Sequence, residues 1–463
     1  MRRIMILAAV CMTLAACDRG NDANSSGSRD SSDRPPAYAS RYRPLPSGAT
    51  LLRGATILTG TGERLEGADV LIRDGKIAEV GTGISAEGAD VVDAGGMWVT
   101  PGIIDVHSHL GVYPAPAVLA HGDGNEMTSP NTAEVWAEHS VWPQDPGFVT
   151  ALAGGVTTLQ ILPGSANLFG GRSVTVKNLP GRSVQDMKFP GAPHGLKMAC
   201  GENPKRVYGF GKGVAPSTRM GNVAGYRKAW IAAEDYRNKI KKADNGEGDA
   251  PMRDLQLETL IGVLEGEILV HNHCYRADEM AVMIDVAREF GYRIAAFHHA
   301  VEAYKIPDLL AENDICAAVW ADWWGFKMEA YDGIRENAAL VARAGACAIV
   351  HSDDERGIQR LNQETAKIVG AAARVDIDIA PEQAIQWITL NPARSLGIAD
   401  VVGTLEPGKM ADVTVWDRDP FSVYARVKRV YIDGALAFDR DDPSANPVTD
   451  FSLGTTAMTG GAK

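Results

Sequence analysis

The chain has 463 residues, 45% hydrophobic and 22% charged, with a formal net charge of -12. That balance is globular and long enough for a large core and more than one domain. The acidic excess argues against an extended phosphate-binding face, so no nucleic-acid partner is expected.

Residues 1–16 place Arg2 and Arg3 before a short apolar run, the pattern of a secretory signal and too short to span a bilayer. Leu14-Ala15-Ala16-Cys17 resembles a bacterial lipobox. The resemblance implies cleavage before Cys17 and its lipidation. Asp18 resembles the signal that keeps lipoproteins at the inner membrane, so a lipid-anchored protein on the periplasmic side is expected. Residues 17–43 are poor in groups to bury and read as a disordered tether. Of the remaining cysteines, Cys200, Cys274, Cys316 and Cys347 sit in or beside apolar runs and read first as buried small residues. Disulfides are possible in an oxidising compartment, but sequence does not pair them.

Residues 44–98 read as short strands, with a hairpin signal at Asp74-Gly75. Residues 99–400 alternate short apolar runs with helical patterns, which predicts an α/β fold, a (β/α)8 TIM barrel. Strand signals return over 401–445, with Asp433-Gly434, and 446–463 form a tail. The two flanking segments are expected to pair into a small β-sandwich built from both chain ends.

Several of the ten histidines sit at the ends of strand candidates. In "IIDVHSHLG", His107 and His109 share one strand face and can reach one ion. Later runs end in "EILVHNHC" (His271, His273), "IAAFHHA" (His298, His299) and "CAIVHSDD" (Asp353). "GLKMACGEN" offers Lys197 and Glu202. Imidazole and carboxylate at four strand ends make a divalent-metal site, most readily zinc, with one or two ions.

This order resembles the amidohydrolase superfamily. "KMACGENPKRVYG" and "PSTRMG" resemble its imidazolonepropionase-like and peptidase-like branch. The resemblance spans about residues 48–440. It implies that His107, His109 and Asp353 hold a first metal, while His271 and His299 hold a second or complete a single site. His271 is preferred to His273, and His299 to His298, which would face outward or pack. Glu202 is preferred to a carboxylated Lys197 as the fourth-strand ligand.

The expected activity is hydrolysis of an amide, peptide or cyclic-amide C–N bond. A bound ion lowers the pKa of its water towards ~7. Asp353 is the general base and then acid, and His273 stabilises the oxyanion. Asp105 is a supporting residue behind the site or a strand-end cap. Arg206, Tyr208 and Arg219, with Arg172 and Lys177, are candidates for binding a substrate carboxylate, as in a dipeptide or N-acyl amino acid. Trp320, Trp323 and Trp324 either wall a pocket or pack in the core. The expected partner is a small molecule or short peptide; contact with membrane comes only through the lipid, and self-association stays open. A deaminase, or a non-catalytic anchored binding protein, are the alternatives. "HxxE" after strand five would favour a deaminase, but that offset from His271 is Cys274.

Overall fold

Two Asp-Gly pairs set corners of the first sheet. Asp74 and Gly75 have φ of 52° and 75°, and Asp433 and Gly434 have 47° and 76°. Positive φ at both central residues is what a tight two-residue hairpin needs. The first pair turns β2 (Arg64–Arg73) into β3 (Lys76–Gly81), and the second turns β15 (Val427–Ile432) into β16 (Ala435–Asp439). The computed structural model describes residues 37–115 and 117–449. The signal stretch 1–16, Cys17, residues 18–36 of the tether and the last fourteen residues lie outside them.

Strands from both chain ends share one hydrogen-bonded sheet, in the order β16-β15-β14-β5-β1-β2-β3. Here β1 is Thr50–Leu58, β5 is Trp98–Pro101 and β14 is Val413–Trp416, while β4 (Asp90–Asp93) pairs with β1. The joint is β5 against β14, with Trp98 opposite Trp416. Leu52, Ile57, Val70, Ile72, Val99, Val413 and Val415 form this sheet's own core.

The second sheet runs in sequence order from β6 to β13. Its strands are β6 (Ile103–Ser108), β7 (Val156–Ile161), β8 (Phe169–Lys177), β9 (Gly195–Ala199), β10 (Leu269–His273), β11 (Ile294–His298), β12 (Cys316–Val319) and β13 (Ala348–Val350). It curls into a nearly closed barrel: the Asp353 amide, just after β13, donates to the His107 carbonyl at 2.9 Å. The barrel departs from an all-parallel one at β8, which runs antiparallel to β7 and β9. Seven residues separate β7 from β8. A parallel return needs a crossover of a dozen or more. In "NLFGGRSVTVK" the paired glycines mask the alternation of the strand that follows.

Residues expected to face substrate at β8 hold the fold instead. Lys177 is fully buried and pairs with Asp412 at 2.9 Å and Asp433 at 3.0 Å. Arg172 donates to Thr259 Oγ1 at 2.9 Å and lies over the Trp136 ring. The last residues of the expected tether, which runs to residue 43, are held by the fold: Tyr42 donates to Asp433 Oδ2 at 2.5 Å, and Ser40 donates to the Lys188 carbonyl at 2.6 Å.

The four barrel cysteines form two disulfides. Cys200–Cys274 joins the residues just past β9 and β10, and Cys316–Cys347 joins the start of β12 to the residue before β13. Burial, the first expectation for them, holds for Cys200, Cys274 and Cys316. Among the described residues no helix is long and apolar enough to cross a membrane.

Candidate functional site

The strand ends at one mouth of the barrel gather His107, His109, His271, His273, His298, His299 and His351, seven of the ten histidines. Asp105 organises the closure between β6 and β13. Its carboxylate accepts from the His107 amide at 3.1 Å, the Ser352 amide at 3.2 Å and the Ser352 hydroxyl. It is thus a strand-end clamp, one of its two expected roles. Burial pushes its carboxyl up to about 7.

Two non-glycine residues at the rim adopt left-handed backbone, His299 at φ 56° and Asp353 at φ 53°. Such conformations are costly and cluster where function holds a side chain in place. Each follows a strand by one to three residues and turns its side chain back over the barrel axis. Consequently His298 and His299, adjacent in sequence, both meet the same cluster. Of its two expected placements, outward or packed, His298 takes the packed one, inside the barrel. It is fully buried, with Nδ1 2.8 Å from His107 Nδ1 and Nε2 2.9 Å from His271 Nδ1.

Asp353 lies at the centre of the arrangement. One carboxylate oxygen is 3.4 Å from His107 Nε2 and 3.1 Å from His109 Nε2; the other is 3.6 Å from His299 Nε2. His109 Nδ1 faces the Leu162 carbonyl at 2.8 Å, so that nitrogen carries the proton and Nε2 keeps its lone pair. Two sets of three residues bring ligand atoms within 4.8 Å of one another: His107 with His109 and Asp353, and His107 with His299 and His351.

At the fourth strand it is Lys197 that lies against His107, while Glu202 sits past the strand end. Lys197 points into the barrel from β9, 1% exposed, with Nζ 3.2 Å from His107 Nε2. Glu202 comes after Gly201, whose φ of +80° turns the chain away from the strand. Glu202's charge acts instead on Lys327 and Glu329 at the rim. Burial lowers the Lys197 amine to about 7.

Burial also governs the imidazoles. It holds His271 and His351 down to about 3, with Lys197 adding to the effect on His271. His107, His273, His298 and His299 are pushed well below the usual histidine value by the same cause. Neutral rings are the form that ligates a metal. His271 Nε2, His273 Nδ1, His299 Nδ1 and both nitrogens of His351 are buried without a hydrogen-bond partner. Orphaned buried imidazole nitrogens beside a carboxylate fit a divalent cation, since each is otherwise a desolvated polar atom left unpaired. His271 is not in either set of close donors and reaches His107 only through His298.

The expected carboxylate-binding residues lie differently. Tyr208 is buried and donates to the Ser129 carbonyl at 2.6 Å. Arg219 donates to Glu279 at 2.8 Å and to Glu329, so its charge is spent within the fold. Arg206 is exposed, and its charge lowers the pKa of Lys327. Sequence reasoning missed His351, His298 and Lys327. The signal for His351 was present: it follows the apolar run "CAIV" as directly as His271 follows "EILV".

An aromatic wall rises from the cluster. Trp320 stacks on His299 with ring centroids 4.3 Å apart, and Trp323 stacks on Trp320 at 5.2 Å. Trp320 is buried and donates to the Ser352 carbonyl, whereas Trp323 and Trp324 are exposed. The two expectations for this stretch thus divide along it.

A solved amidohydrolase from Thermotoga maritima has 36% sequence identity to the chain, covering 84% of this chain and 100% of that one, with a TM-score of 0.78. The chain belongs to the amidohydrolase family. The amidohydrolase family model itself matches residues 332–437. The amidohydrolase tasK of Hapsidospora irregularis is 33% identical over 84% of this chain, and the chain spans 43% of that protein's length. An imidazolonepropionase of Thermoplasma volcanium is 24% identical over 81% of this chain and 92% of its own. Amidohydrolases are hydrolases acting on C–N bonds. The barrel and its histidine rim are where such a family builds its chemistry.

Proposed function

We propose that this amidohydrolase is a divalent-metal enzyme, most readily a zinc enzyme, that hydrolyses the amide bond of small N-acylated amino acids or short peptides. The observation that carries the reading is Asp353 held within 3.1–3.6 Å of three imidazole Nε2 atoms, amid ring nitrogens that have no other partner. His107, His109 and Asp353, with His299, His351 and Lys197, are the residues that would hold the metal. When bound, the ion supplies Lewis-acid polarisation and an acidified water.

The protein's own groups do the rest. The Asp353 side chain is 23% exposed and that of His109 18%, so the carboxylate and this ring are open to water and substrate while His107 and His299 are closed off. That carboxylate takes a proton from the attacking water and returns it to the leaving nitrogen. His273 has Nδ1 unpartnered and Nε2 3.4 Å from the Asn203 amide nitrogen, which suits it to face the oxygen that becomes negative. Asp105 and Ser352 keep the Asp353 turn fixed against β6. The neutral form of Lys197 suits it either to approach a cation directly or to carry a carboxylate formed with carbon dioxide.

We further propose that Cys17 anchors the chain by lipid on the periplasmic side of the membrane. Two disulfides suit an oxidising compartment.

The test is metal analysis of the purified chain with a turnover screen of N-acyl amino acids, dipeptides and cyclic amides. Bound or activity-restoring zinc together with cleavage of the first two classes is expected. Metal-independent turnover, or ammonia release from aminopurines alone, would overturn the reading.

A further inference from the structure

The rim carries a largely buried lysine close to the histidine cluster. Lys327 sits in the segment after β12, its ammonium 3.9 Å from the centre of the Tyr275 ring. Tyr275 in turn stacks on His299 at 5.7 Å and meets His273 edge-on at 4.9 Å. Lys327 Nζ is 3.4 Å from Asn203 Oδ1, and Asn203 Nδ2 is 3.4 Å from His273 Nε2. One carboxamide therefore separates Lys327 from His273.

Its acidic neighbour is otherwise engaged. Glu329 lies 3.6 Å from Lys327 but is hydrogen-bonded to Arg219, which also binds Glu279. Lys327 thus has a carboxylate shared with Arg219 at 3.6 Å, one amide oxygen at 3.4 Å and the nearby charge of Glu202 for three donors. Burial lowers its pKa, so an anion bound there would restore what burial costs. Beside it rise Phe326 and the Trp320–Trp323 stack, with Trp323 39% exposed and Phe326 58%. Exposed aromatics at a catalytic mouth are a ready surface for an aromatic side chain.

We propose that Lys327 is the carboxylate anchor of the substrate site, and that the Trp323–Phe326 wall receives an aromatic side chain. The substrate class is then N-acyl aromatic amino acids, or dipeptides ending in one, with a free C-terminal carboxylate. The inference rests on the hydrolase reading above and deepens it. Asn203 keeps Lys327 and His273 in register, so carboxylate and scissile carbonyl are read together.

Calorimetric titration of the zinc-loaded full chain with N-acetyl-L-tryptophan and with its carboxamide tests this. The wild type should bind the acid at least tenfold more tightly than the carboxamide. Lys327→Met should erase that preference while leaving carboxamide binding intact, and Lys327→Arg should keep most of it. Trp323→Ala should weaken both ligands together. Equal or absent binding by the wild type, a preference that survives in Lys327→Met, or unchanged affinities in Trp323→Ala would overturn the proposal. Preserved discrimination without turnover of any N-acyl amino acid or dipeptide would instead uphold the anchor and sink the proposed amide hydrolysis.

Discussion

His107 and His298 meet Nδ1 to Nδ1 at 2.8 Å, and His298 passes the contact on to His271 through its other nitrogen at 2.9 Å. Each contact needs one proton, and a neutral ring has only one to give. If His107 donates, it keeps the Nε2 lone pair, and the proton of His271 is driven onto its own Nε2. If the order reverses, His271 gains the free lone pair and His107 loses it. Three neutral rings in this chain therefore offer one outward lone pair at its ends, not two.

His298 then sets which ring can ligate. Replacing it with alanine should lower zinc affinity by about 10–100-fold, the usual cost of losing a partner that orients a ligand. Competition with a chelating dye measures it. An unchanged affinity would remove His298 from the site.

Asp353→Asn removes the proton acceptor while keeping shape. Turnover should drop at least about a hundredfold, with an unchanged far-UV spectrum and melting transition close to that of the wild type. Full activity in this variant would eliminate the carboxylate mechanism.

Acid should unfold the metal-free protein early. His194 is lowered to about 4, and His271 and His351 to about 3, in each case chiefly by burial. As pH falls below the ordinary histidine value of ~6.5, the unfolded chain takes up protons that the folded chain refuses. Stability contributed by these three groups is complete above ~6.5 and lost as pH falls towards 3. Asp105, Asp145, Glu279, Glu329 and Asp412 oppose the trend, since burial raises their carboxyls in the fold, but burial lowers His107, His273, His298 and His299 as well, which adds to it. Thermal melts between pH 7 and 4 should fall in midpoint, and His194→Gln should flatten the slope.

Reducing the disulfides should destabilise the chain without changing its topology. Cys200 and Cys274 are 74 residues apart and Cys316 and Cys347 are 31 apart. Closing loops of those lengths is worth about 4 kcal/mol each on the chain-entropy account. A Cys274→Ser variant should melt lower. It should also lose turnover, because Cys274 directly follows His273 and its disulfide pins that strand end to β9.

Arg219→Ala separates a structural arginine from a substrate one. It should lower stability by leaving Glu279 and Glu329 without their partner, both of which burial already pushes up. Equilibrium unfolding reads this, while the preference for acid over carboxamide should remain.

Period-two alternation made His107, His109, His271 and His273 legible, because each follows an apolar run that can only be a buried strand. It could not resolve His298 from His299, since the outcome depends on a backbone reversal at His299. Arg172, Lys177 and Arg219 looked available because their partners lie 60 to 256 residues away. A lone strong cation in a loop-like stretch reads as a ligand-binding group until the distant carboxylate is seen. The antiparallel β8 was hidden for a related reason: nothing local distinguishes its return direction, which the short connection decides.

The buried Lys177–Asp412–Asp433 cluster, with Tyr42 joined to Asp433, lies where β6 and β7 begin. The histidines lie where the strands end. The first residues of the fold, Ser40 and Tyr42, therefore fasten to the floor of the barrel, at the end opposite the histidine mouth.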